Sequence, residues 1–115
     1  MEDIINREDI IKLVDSFYDK VKNDELLAPI FKEINWPSHL PTMYNFWSSI
    51  VLGDASYKGN AFQKHQYLKI NAIHFKRWLE LFHHTVNEHF EGEKAIEIKE
   101  RARHIASVFQ YKMNL

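Results

Sequence analysis

Only three glycines and three prolines punctuate the 115 residues of this chain, and that scarcity constrains its fold most. Many-stranded sheets need frequent reversals, which glycine and proline supply; few of either favours long helices with few joints. The apolar residues agree. Ile10, Ile11, Val14, Phe17, Tyr18 and Val21 recur at three- and four-residue steps, which predicts an amphipathic helix over Arg7–Lys22. Asn6 is its cap, with Asp9 three residues on, and it stops near Asn23 and Asp24.

Further along, a short helix is expected over Leu27–Glu33, with Pro29 in its first turn, followed by a loop from Asn35 to Ser38. Ser38 then reads as the cap of a helix over His39–Leu52 that Gly53 ends; its apolar face is Met43, Phe46, Trp47, Ile50 and Val51, with His39 in phase. Asn60 and Gln63 resemble a capping box opening a short helix on which Phe62, His65 and Leu68 share one side. Asn71 caps the next predicted helix, Ala72–Phe90, with Phe75, Trp78, Leu79, Phe82 and Val86 as its apolar positions. Gly92 breaks it, and a last helix over Glu93–Met113 carries Ala95, Ile98, Ala102, Ile105, Phe109 and Met113. The sum is one all-α domain over residues 1–115, ordinary in size for a single core.

Several function classes are excluded or disfavoured. There are no cysteines, so disulfides and thiolate metal sites are impossible. Net charge is −1 with both signs interspersed, so no basic footprint for nucleic acid or an anionic membrane exists. No apolar run approaches the roughly 20 residues of a membrane span. The acidic N-terminus lacks a signal-peptide pattern, and the expected location is the cytoplasm.

Of the 16 aromatics, 11 lie between Phe31 and Phe82. A helical core accounts for any one of them; their concentration around His39 and His65 also suits a flat, apolar cofactor. None of the seven histidines (39, 65, 74, 83, 84, 89 and 104) is three or four residues from another, as a helical zinc site would want. His83, His84, His89 and His104 read as solvated helix residues. His65 differs, with Phe62 and Leu68 three residues to either side. That is the setting of a satisfied core histidine and equally of a proximal haem ligand. Tyr18 and Trp78 each carry one polar hydrogen within an apolar stripe; a buried hydroxyl or indole N–H seeks a partner, either a backbone carbonyl or a ligand.

The words SFYDKV (16–21), LAPIF (27–31), HLPTMYNFW (39–47), YKGNAFQKH (57–65), HFKRWLELF (74–82) and RARHIASVFQ (101–110) stand in register over nearly the whole chain. Together they resemble the truncated haemoglobins, and within them group III, which lack the paired glycine motifs of groups I and II. The resemblance implies a shortened globin fold, a two-over-two helical sandwich around haem b. It makes His65 the proximal iron ligand and Tyr18, His39 and Trp78 the distal residues. Phe31, Met43, Phe46 and Trp47 become lining positions against the cofactor, joined by Leu68 and Phe75 from the faces that carry His65 and Trp78. His74 falls where other members often carry an apolar residue; it could line the pocket, approach a haem propionate or compete as an axial ligand.

Three readings follow. The first is a monomeric haem protein that reversibly binds dioxygen, nitric oxide or carbon monoxide, suited to binding, storage or scavenging more than to transport. The second is a redox enzyme on the same site, a nitric oxide dioxygenase or peroxidase-like activity served by a reductase. The third is a cofactor-free helical interaction module.

Overall fold

The structure, a computed structural model, describes residues 1–57, 59 and 70–115. The expected short helix with His65, Phe62 and Leu68 lies outside the described residues. Among those described, four helices form the framework: α1 (Arg7–Lys22), α2 (Trp36–Leu52), α3 (Ala72–His89) and α4 (Glu93–Lys112). α1 packs on α2 and α3 on α4, while α1 also meets α3 and α2 meets α4. Among the described residues this is an all-α arrangement in which two packed helix pairs, α1 with α2 and α3 with α4, meet each other.

Local chemistry explains most of the helix boundaries. Asn6 accepts from the Asp9 N–H at 3.1 Å, and the Asp9 carboxylate accepts from the Asn6 N–H at 3.3 Å. That reciprocal box satisfies two backbone donors that the first turn would otherwise leave orphaned. α1 buries Ile10, Leu13, Val14, Phe17, Tyr18 and Val21. α2 ends at Gly53, whose φ of 68° is a left-handed conformation that costs glycine nothing.

Two expectations are corrected. α2 begins at Trp36, not His39, because Asn35 is the cap: its side chain accepts from the Ser38 N–H at 3.3 Å. Pro37 then falls in the first turn, where a missing N–H is harmless, and Pro41 lies further inside the helix. The expected helix over Leu27–Glu33 is instead a run of turns. Ile30, Phe31 and Ile34 each donate to the carbonyl three residues back, and Pro29 has no N–H to offer an α-helical ladder.

The last helix has a cap from the far end of the chain. Gly92 has no side chain to cap α4, and the Asp3 carboxylate does so, accepting from the N–H groups of Lys94 and Ala95 at 2.9 Å each. These bonds hold Asp3 below the usual carboxylate range although burial works to raise it. A Cβ at position 92 would meet the Asp3 side chain at 2.5 Å.

His83 and His89 are not simply solvated. Both are half-buried; the His83 Nε2 lies 3.2 Å from the Lys99 carbonyl on α4, and the His89 Nε2 3.1 Å from the Ser16 hydroxyl on α1. Their helix faces turn toward neighbours, a tertiary fact that spacing within one helix does not contain.

Candidate functional site

A cleft enclosing about 720 Å³, part of it open to solvent, lies among the helices. α1 contributes Tyr18, and the turns after it contribute Leu27, Ile30 and Phe31. Met43, Phe46 and Trp47 come from α2, His74, Phe75 and Trp78 from α3, and Ile105, Ala106 and Phe109 from α4. Ile70 completes the lining. The wall is overwhelmingly apolar and aromatic, as small-molecule sites are.

Aromatic packing sets the orientation of the two donors. Trp78 stacks on Phe82 at 5.5 Å and 15°, and Phe82 stacks in turn on Trp47 at 4.8 Å and 28°. Phe17 closes edge-on against Trp78 and Phe82. Phe82 is fully buried at the centre of this stack. Tyr18 is fixed by Phe17, Trp36 and His39, with ring centroids 4.9, 5.2 and 5.3 Å away. Among the described residues, neither the Tyr18 hydroxyl nor the Trp78 indole N–H makes a hydrogen bond. Both residues line the cleft, so an acceptor bound there can satisfy them. Burial pushes the Tyr18 hydroxyl well above its ordinary pKa, so it is a donor at any ordinary pH.

His39 does not line the cleft. It sits in the first turn of α2, packed against Tyr18 and edge-on to Trp36 at 5.6 Å, with its Nε2 buried. Trp36, expected in a loop, joins this cluster by stacking on Phe31 at 6.2 Å and carrying the Lys22 ammonium 4.5 Å over its ring. His74 lines the cleft and also serves its own helix, because its Nδ1 accepts from the Asn71 N–H at 3.0 Å and closes the capping box of α3. His65 and Leu68 lie outside the described residues.

Leu27, Ile30, Ile70, Ile105, Ala106 and Phe109 were not expected at the site. Ile105 and Phe109 carried a signal, since both sit on the apolar stripe of the last helix, but a stripe does not distinguish core from cleft. An ion pair behind the wall was also missed. Asp24 accepts from the Arg77 Nε at 2.7 Å and from the N–H groups of Leu26 and Leu27. It joins the start of the turn segment to the residue next to Trp78. Burial works to raise the Asp24 carboxyl, but Arg77 and the two N–H groups overcome it and hold it below its usual value.

The family model for bacterial-like globins matches residues 2–113. This chain belongs to that family. It is 37% identical over 113 residues to the group 3 truncated hemoglobin of Campylobacter jejuni, covering 92% of this chain and 89% of that protein. The crystal structure of group III truncated hemoglobin from Campylobacter jejuni superposes with a TM-score of 0.89 at 36% identity, over 98% of this chain and 95% of the other. The group III resemblance read from the sequence therefore stands on both comparisons. A globin family implies haem binding, and the residues present fit haem: a largely apolar, aromatic lining for the ring, with Tyr18 and Trp78 in that lining as donors for a polar ligand. Among the described residues no helix is long and apolar enough to cross a membrane.

Proposed function

We propose that this chain binds haem b through His65 and reversibly holds a diatomic gas ligand, dioxygen foremost. One observation carries the reading: Tyr18 and Trp78, two donors with no hydrogen bond among the described residues, line one aromatic cleft. When bound, haem would supply an iron able to take a histidine nitrogen, here that of His65, and a small diatomic ligand.

The chain's own residues do the rest. Phe31, Met43, Phe46, Trp47 and Phe75, all in the lining, would exclude water and give the ring apolar contact. Tyr18 and Trp78 would donate to a polar diatomic ligand held in the cleft. Each such hydrogen bond contributes about 0.5–1.5 kcal/mol, or up to roughly an order of magnitude in retention. His39 acts from behind, bracing the Tyr18 ring, and governs access through it. A pocket with two donors releases dioxygen slowly, which suits storage or scavenging over delivery.

The test is an absorption spectrum of purified chain with added haem, in both oxidation states, for wild type and His65→Ala. Wild type is expected to give a Soret band and a reversible ferrous–dioxygen spectrum. His65→Ala is expected to lose haem unless exogenous imidazole is supplied. Normal retention in that variant would move the proximal role away from His65. Sustained turnover with peroxide or nitric oxide and a reductant would move the function to a redox enzyme.

A further inference from the structure

His74 is the unusual member of the lining. Among the described residues the cleft wall contains no Lys, Arg, Asp or Glu, and His74 supplies its one imidazole. Its ring is held by a backbone group: the Asn71 N–H donates to Nδ1 at 3.0 Å, while the Asn71 side chain caps the same turn. A backbone N–H can only donate, so Nδ1 is the unprotonated nitrogen. In a neutral imidazole the other nitrogen then carries the proton. His74, which is part of the cleft lining, therefore carries its proton on Nε2 and has that N–H to donate. An Nε2–H has no lone pair for a metal, so axial ligation would require breaking the α3 cap. Haem is an apolar disc with two carboxylates on one edge. With Tyr18 and Trp78 assigned to the gas ligand in the reading above, Trp47 and His74 are the remaining side chains of the lining with a polar hydrogen. Trp47 is buried in its stack with Phe82, which leaves the half-buried His74 for that edge.

We infer that His74 binds a propionate carboxylate of the cofactor through Nε2–H, and is an anion-recognition residue rather than a second iron ligand. This rests on the haem reading above. The same bond that caps α3 sets the tautomer that recognises the anion, so one residue couples helix initiation to cofactor binding.

Glutamate is the usual residue at this capping position, which makes His74→Glu the informative variant: it keeps the acceptor for the Asn71 N–H and replaces the donor with a negative charge. His74→Gln keeps both an acceptor and a donor. Full-length wild type and both variants are loaded with haem or with haem dimethyl ester, whose propionates are neutral. Haem loss to excess apomyoglobin is followed at the Soret band. Apo-protein melting is expected to be the same for wild type and His74→Glu. His74→Glu is expected to lose natural haem at least about tenfold faster, as for a lost charge-assisted bond, and His74→Gln to stay within about threefold of wild type. With the dimethyl ester, wild type and His74→Glu are expected to release at the same rate. Equal loss of natural haem from wild type and His74→Glu overturns the inference, as does a difference that persists with the ester. So does a change of axial coordination in the ferric spectrum of either variant. If wild type takes up neither form, the haem reading itself falls.

Discussion

At the scale of single residues, the chemistry of this chain rests on two polar hydrogens embedded in aromatic packing. Tyr18 is buried and Trp78 partly so, and a polar hydrogen taken out of water is costly unless something accepts from it. Tyr18→Phe and Trp78→Phe remove each donor at nearly constant shape. Each is expected to speed dioxygen release by roughly three- to tenfold, the rate equivalent of one hydrogen bond. Displacement by carbon monoxide in a stopped-flow experiment measures it; unchanged rates in both variants would end the donor argument. A second residue-scale prediction concerns Asp24, whose carboxyl Arg77 and two N–H groups hold below its unfolded value. A depressed folded pKa contributes stability above the unfolded value of about 3.9 and loses it as pH falls through the folded one. Asp24→Asn is therefore expected to be less stable than wild type at pH 7, by roughly 1–2 kcal/mol. That gap should close as the pH is lowered below the carboxylate range, which paired urea melts would follow.

Elements of this fold start and stop for local reasons, with one exception. The bounds of α1 were legible because Asn6, Asp9 and the apolar spacing all act within a few residues of one another. Asn6→Ala is expected to cost about 1 kcal/mol, as loss of an N-cap does, seen as a lower urea midpoint at unchanged slope. The start of α2 was misplaced because Asn35 and Ser38 are both good caps and Pro41 suits a first turn begun at Ser38; the structure instead carries Pro41 inside the helix, which local propensity argues against. α4 is the exception. Its cap comes from Asp3, and the close approach requires Gly92, at φ 143°. Gly92→Ala forces a strained backbone and a clash with Asp3, for an expected loss of order 1–3 kcal/mol. If its melting temperature matches wild type, the N-terminal segment does not cap α4 in solution.

For the molecule as a whole, the cleft is a place where a ligand would add apolar contact to all four helices. Whatever binds the folded state and not the unfolded one stabilises it by mass action, about 2.7 kcal/mol at a hundredfold excess over Kd. Haem is therefore expected to raise the melting temperature of wild type, and His65→Ala is expected to melt at the same temperature with and without it. A shift of equal size in His65→Ala would show that the cleft holds haem without that histidine.

By itself the sequence determined the class of fold, most helix bounds and the aromatic concentration, because these depend on periodicity and on contacts a turn or less apart. It also placed Tyr18 and Trp78 in apolar stripes, where each needed a partner. Only the tertiary structure decided that both line the same cleft, that His39 stands behind Tyr18 and outside the wall, and that His74 caps a helix at the cleft. It also decided the two long-range ties, Asp3 to the start of α4 and Asp24 to Arg77. Such contacts join residues far apart in sequence. They exist only once the helices have packed, and no spacing rule within one element can contain them.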